Sequence, residues 1–161
     1  MATLTVTITE SLPDYNGTDN DLTITNALSV SGVDDIYHRV VTVPNGVDTT
    51  LANFHATTGV ADSSLDVENV KYIRVTNLDG ANAINLSLQV DAGEDDSAAD
   101  ASTTILLEAG KSFMMGAPSD GIAIDDDAAT VITTLNNLES IIADSGSNAV
   151  QCEIFIASVV A

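Results

Sequence analysis

The sequence predicts an all-β protein: an antiparallel β-sandwich or jelly-roll-like fold of eight to ten short strands, with one short helix near 128–136. Three observations lead there. Apolar and polar residues alternate with period two in several runs. The cleanest is ATLTVTIT at 2–9, with Leu4, Val6 and Ile8 on one face and Thr3, Thr5, Thr7 and Thr9 on the other. That period marks a strand with one buried and one wet face. Pro, Gly, Asn and Asp clusters punctuate the runs at roughly ten-residue intervals, the spacing of a sandwich rather than of βαβ units. Thr also accompanies Val and Ile through most runs, which favours strands over helices. With 161 residues, no internal repeat and no linker, the chain is expected to form a single β-sandwich domain over 1–161.

Taken in order, Ala2–Thr9 is the first strand. So near the N-terminus, it is expected to be an edge strand or one lent to a neighbour. Leu12–Asp21 is a turn-rich loop with Pro13 and Asn16-Gly17, and Leu22–Val30 a second short strand. Ile36–Val43 is the third, closed by Pro44-Asn45-Gly46, because Pro cannot donate to a ladder and Asn-Gly favours a turn. Val47–Phe54 reads as its antiparallel partner, and His55–Asn69 as a loop. Asn69–Val90 holds the strongest hairpin signal: Lys71–Thr76 and Ala83–Val90 flank the polar turn Asn77–Asn82, with Asp79-Gly80 at its centre. Gly accepts φ > 0 without steric cost, as a tight hairpin turn demands. Asp91–Ser102 is an acidic, exposed and mobile hairpin tip leading into Thr103–Leu107, and Glu108–Lys111 turns into Ser112–Met115. Pro118–Asp127 is a second acidic loop. Val131 and Leu135 then keep helical spacing after Asp127, a residue suited to capping a helix start. Leu138–Asp144 and Ala149–Ser158 close the chain as a hairpin through Ser145–Asn148. In its last run Val150, Cys152, Ile154 and Ile156 face one way.

The charge balance excludes whole classes of partner. Four basic residues stand against 24 acidic ones, a net of −20. Such a chain repels nucleic-acid phosphates, whose recognition needs Lys and Arg to displace counterions. It is equally unsuited to anionic membrane surfaces. Self-repulsion costs stability while favouring solubility, and salt softens the cost, so a salty medium suits this surface. The start MATLTVTITE lacks the basic end and apolar core of a signal peptide, and no run approaches the roughly 20 apolar residues of a membrane span. A protein made in the cytosol is expected, and the sequons at Asn16 and Asn85 carry no meaning there. With Cys152 alone, no intrachain disulfide forms.

No catalytic constellation stands out, so neither an enzyme nor a cofactor is expected. Gly110-Lys111-Ser112 resembles the end of a phosphate loop, but Ile105 stands where the first Gly belongs and no helical pattern follows. A β-turn with an exposed Lys fits better. His38 and His55 have no spaced neighbours that would complete a zinc site, and no nucleophile turn accompanies them. Cys152 lies on a buried strand face, where a thiol behaves as a small inert hydrophobe. Calcium would take oxygens from Asp14–Asp21, Glu94–Asp100 or Asp125–Asp127, but none has EF-hand spacing and Asp runs are usually solvated turns. No metal is expected. The four cations inform more: Arg39, Lys71 and Arg74 fall in strands and Lys111 opens another. Intrachain ion pairs are the first expectation for them, contacts with a partner the second.

Within Asn69–Val90, the run YIRVTNLDGANAINLSLQ, followed by ILLEAGKSFMM, resembles a pattern in small virion structural proteins of tailed bacteriophages. There a YIRITN-type strand, a polar turn and a second strand precede an L-x-A-G-x-S-F turn. MATLTVTITESL, DDIYHRVVTVPNG and the closing run to Ala161 look similar too. The resemblance implies a β-sandwich subunit of the head decoration (cement) type, on the outer capsid surface, often a homotrimer, binding the major capsid protein. The expected contact elements are apolar sheet edges and the N-terminal strand. Residue by residue, the candidates are Leu4, Val6, Ile8, Arg39, Lys71, Arg74 and Lys111. Two other readings compete: a tail, fibre or collar component, and a carbohydrate-binding β-sandwich module. The last is weakened by the absence of Trp and the few Tyr, since sugar platforms stack on aromatic rings.

Overall fold

The computed structural model describes residues 1–14, 17, 21–55, 65–90, 101–119, 122–124, 131 and 135–159. Its strands are β1 (Ala2–Leu12), β2 (Leu22–Val33), β3 (Asp35–Val43), β4 (Thr49–His55), β5 (Leu65–Asp66), β6 (Val70–Asn77), β7 (Ile84–Val90), β8 (Ala101–Leu107), β9 (Ser112–Gly116), β10 (Ala123–Ile124), β11 (Asn136–Asp144) and β12 (Val150–Ser158). Ten of them lie where the alternation placed them. The other two, β5 and β10, are two-residue pairings too short to leave a pattern. A 3₁₀ turn, Val67–Asn69, is capped by Asp66, whose carboxylate accepts the Glu68 N–H. The helix expected near 128–136 falls mostly on residues outside the described set, and Asn136 already belongs to β11. The acidic tip expected at Asp91–Ser102 lies outside it through residue 100.

Pairing sorts the strands into three sheets. The first has the order β5-β4-β11-β7-β8, with β10 on β11, and the second β3-β12-β6-β9. The third is the two-stranded ribbon β1-β2. All ladders are antiparallel except the short β4–β5 pair. The core lies between the first and second sheets. Leu51, Phe54, Ile84, Leu86, Leu138 and Ile141 face Ile73, Val75, Cys152, Ile154 and Ile156 in one buried cluster.

The alternation found the strands, but three expected hairpins do not form. Lys71–Thr76 and Ala83–Val90 lie in β6 and β7, which belong to different sheets and do not pair. Ile36–Val43 and Val47–Phe54 are likewise split, as are Leu138–Asp144 and Ala149–Ser158. Each expected hairpin is an arch that carries the chain from one sheet to the other. The β8–β9 turn does the same, whereas β7 and β8 pair as expected. Setting β3-β12-β6-β9 against β4-β11-β7-β8 places every arch-linked pair at matching positions, which is jelly-roll connectivity. Energetics explain the preference for arches. A cross-strand pair contributes about 0.2–1 kcal/mol, and β6 and β7 each find other ladder partners. Facing one another across the core instead buries Ile73, Val75, Ile84 and Leu86, at about 1.5–3 kcal/mol per side chain.

The 77–82 corner shows how such an arch is held. Gly80 is not in the left-handed region, so the hairpin argument for Asp79-Gly80 fails at its premise. The turn is built by Asp79 instead, whose Oδ1 accepts the N–H groups of Ala81 and Asn82 at 2.7 Å each. Those two bonds hold its carboxyl below the ordinary carboxylate range. Asn77, fully buried, anchors the corner. Its Nδ2 donates to Asn82 O (2.9 Å) and to Leu107 O (3.1 Å), and its Oδ1 accepts the Asp79 N–H at 3.0 Å. Its own N–H donates to Lys111 O at 2.9 Å, which ties the β6–β7 arch to the β8–β9 arch beside it. The other two arches are similarly joined, Ser145 Oγ donating to Pro44 O at 2.9 Å.

Replacing Asn77 with Leu would orphan two carbonyls and an N–H, at about 1–3 kcal/mol for each group that stays buried. Asn77→Leu is therefore expected to lose roughly 3 kcal/mol or more, read as a lower urea midpoint at unchanged slope. An unshifted midpoint would show that the corner closes without this side chain.

Candidate interaction surface

Register fixes what the second sheet presents outward. Across β3, β12, β6 and β9 its outer rows are Ile36–Ala157–Tyr72–Gly116, His38–Phe155–Arg74–Met114 and Val40–Glu153–Thr76–Ser112. The middle of the first row is covered by the base of the ribbon: Val30 and Val33 bury Tyr72 and Ala157, with Leu4, Val6, Leu28 and Phe155 packed around them, while Ile36 at the β3 edge stays exposed. The approach is so close that a Cβ on Gly116 would lie 2.6 Å from Leu28 Cδ2. A larger residue there would have to push the Leu28 methyl aside.

The ribbon is two-faced along its whole length. Leu4/Val30, Val6/Leu28, Ile8/Asn26, Glu10/Ile24 and Leu12/Leu22 share one face. The other carries only Thr, Ser and Ala: Thr3/Ser31, Thr5/Ser29, Thr7/Ala27, Thr9/Thr25 and Ser11/Thr23. The eleven residues of β1 span about 36 Å at ~3.3 Å per residue. Only the base is sealed. Further out Ile8 is 44% exposed, Ile24 45%, Leu12 51% and Leu22 43%. A cleft of about 500 Å³ opens where the ribbon leaves the sheet, lined by Leu4, Val6 and Ile8 on one side and Tyr72, Arg74, Met114 and Phe155 on the other.

Beside this cleft lies the principal charge cluster of the face. Glu153 Oε1 meets His38 Nε2 at 2.8 Å, and its Oε2 accepts from Arg74 Nη2 at 2.7 Å. The pair is partly exposed, so it contributes at most about 1 kcal/mol and mainly positions the guanidinium. Phe155 packs between the rings of His38 and Tyr72, at centroid distances of 6.0 and 6.2 Å. Burial pushes the Tyr72 phenol up, with Arg74 opposing.

The opposite outer face, on the first sheet, is polar. Asp48, Asn85, Ser87, Gln89, Thr104 and Asp144 surround Ile142 in a shallow groove of about 280 Å³. Leu106 is the exposed aliphatic at its margin.

Of the residues selected from sequence, Leu4, Val6, Ile8 and Arg74 come together at the cleft. Arg39, Lys71 and Lys111 do not join them. Arg39 stacks 4.9 Å above the Tyr37 ring, Lys71 Nζ donates to Glu68 O at 2.7 Å, and Lys111 is exposed in the β8–β9 turn. The expected ion pair thus forms at Arg74, while Arg39 and Lys71 hold a ring and a carbonyl. Sequence reasoning missed Glu10 and Leu12 because it ended the first strand at Thr9, and it placed Ile24 in the second strand without pairing that strand to the first. The mirrored spacing of Leu12 and Leu22 around a turn-rich loop was the available signal. It missed the His38–Glu153–Arg74 cluster because those residues are joined only by the ladders of β12.

Among the described residues no three of His, Cys, Asp and Glu gather to hold a metal ion. The calcium loops considered from sequence fall largely outside those residues. Cys152 is fully buried, and desolvation pushes its thiol from 9.0 to about 11. Compared with protein-family models, curated proteins and solved structures, the chain matches none.

Two outcomes follow for Cys152. Near neutral pH the native thiol resists an aromatic disulfide reagent and reacts only when urea unfolds the chain; prompt labelling of the native protein would contradict its burial. Because its folded value is the higher one, its stabilising contribution is complete below pH 9.0 and is lost as pH rises to about 11. Alkaline urea titrations of wild type and Cys152→Ala should differ by up to about 2–3 kcal/mol in that loss.

Proposed function

We propose that this is a non-enzymatic capsid decoration (cement) protein of a tailed bacteriophage, which binds the outer capsid surface and stabilises contacts between major capsid proteins. The observation that carries the reading is the asymmetry of the two outer faces. Exposed Ile36, Val40 and Met114, with the outer half of the ribbon, put apolar area on one side of the sandwich, and the other side is a polar groove. Stable interfaces combine such an apolar centre with a polar rim, at about 800 Å² per partner. The resemblance of the runs at 72–89 and 105–115 to virion proteins points the same way. So does the charge: a −20 chain sits comfortably outside a shell and poorly against packaged DNA.

In this reading β3, which borders the second sheet, is the capsid-facing edge, and His38, Ile36 and Val40 lie along it. The polar groove then faces solvent. Bound copies add buried area across capsomer junctions and so oppose the outward pressure of the genome.

The test is binding of the purified protein to intact capsids that lack it, with copies per particle counted. Saturation at the number of capsomer junctions supports the proposal, a few copies per particle would indicate a tail or collar component, and no binding would sink it. Val40→Glu, on the exposed face, is expected to weaken capsid binding by roughly tenfold or more, because it sets an unpaired charge in the contact. Wild-type affinity for that variant would move the contact away from β3.

A further inference from the structure

We propose that the protein self-associates by ribbon exchange: the outer half of one copy's ribbon seats in the cleft between ribbon and second sheet of another copy, with Glu10 of the first facing Arg74 of the second. This holds for the free protein and does not depend on the capsid reading.

The first argument is what the outer half of the ribbon lacks. A two-stranded ribbon is marginal in water unless it buries a face. The inner half does so on Tyr72 and Ala157, but the same face continues outward with Ile8, Leu12, Leu22 and Ile24 exposed. The cleft has the matching deficit. Leu4, Val6, Ile8, Tyr72, Met114 and Phe155 supply its apolar surface beside Thr5, Thr7 and Arg74; Met114 is 40% exposed, and the cleft holds about 500 Å³. Displacing water from such walls with aliphatic side chains is favourable.

Charge decides the occupant. Two copies at −20 each repel one another over most of their surface. Over β1 and β2 together the sole charged residue is Glu10, and the loop joining them adds Asp14, Asp19 and Asp21, so the outer end of the ribbon is acidic and best matched by a basic site. No carboxylate lines the cleft, and its one cation is Arg74. Arg74 gives one nitrogen to Glu153 and has other donors to spare. The acidic outer end of the ribbon and the single base lining the cleft are complementary. The ribbon and the cleft belong to the same chain, so reciprocal exchange uses each contact twice in a two-fold pair, and head-to-tail exchange closes into a ring if the rotation permits.

Sedimentation equilibrium of the intact chain comes first, and an oligomer is expected. Leu12→Cys and Met114→Cys are then prepared separately and mixed under mild oxidation; both sites are exposed, and buried Cys152 does not compete. A disulfide-linked heterodimer of the two variants, absent from either one alone, is the expected product. Ile24→Asp should weaken association by roughly thirtyfold, the effect of about 2 kcal/mol at 1.4 kcal/mol per decade. Glu10→Lys should weaken it too, and circular dichroism should show both variants folded. A monomer at every concentration would overturn the proposal. So would an oligomer in which Leu12→Cys links only to itself, or one indifferent to Ile24→Asp.

Discussion

Every arch in this fold must end one ladder and begin another without burying an unpaired polar group, and the jelly roll depends on that condition being met four times. Asn77 meets it where the constraint is tightest. Its one side chain closes the corner of its own arch, and its backbone N–H reaches the neighbouring arch. An amide suits this place because it donates and accepts at once, and a fully buried donor or acceptor without a partner is costly. With the corners satisfied, the aliphatic faces of the two sheets meet and supply the bulk of the stability.

The same economy shapes the surface. A chain with four Lys and Arg cannot distribute ion pairs widely, and three of the four have different local uses. Arg74 and His38 share the two oxygens of Glu153, Arg39 covers an aromatic ring, and Lys71 holds the carbonyl of a 3₁₀ turn. Exposed pairs add little to stability. The Glu153 cluster matters more as a fixed patch of charge on a face that also carries Ile36, Val40, Phe155 and Met114. Together with the ribbon it makes one side of the molecule chemically unlike the other. Acidic residues elsewhere repel a like-charged neighbour, and β1 and β2 carry fewer of them than the loops do.

Much of this was written in the sequence, and the physical reason is period. Side chains alternate across a strand whatever sheet it joins, so Leu4, Val6 and Ile8, or Cys152, Ile154 and Ile156, mark strands and buried faces by themselves. Composition likewise determined an aliphatic core, an inert buried thiol and a surface hostile to polyanions. Pairing is a different matter. Whether β6 continues into a hairpin or an arch depends on which other strands offer it an edge, and the ladders of β12 and β9 to β6 come from 36 to 88 residues further along the chain. Local turn chemistry could not see them. Asp79-Gly80 carries a hairpin's letters in an arch's geometry. The site was legible in the same proportion: the aliphatic stripe of the first strand and Arg74 could be chosen from sequence. Only tertiary structure set that stripe over Tyr72, Phe155 and Met114, because a ladder register and a packed ribbon base are properties of distant residues brought together.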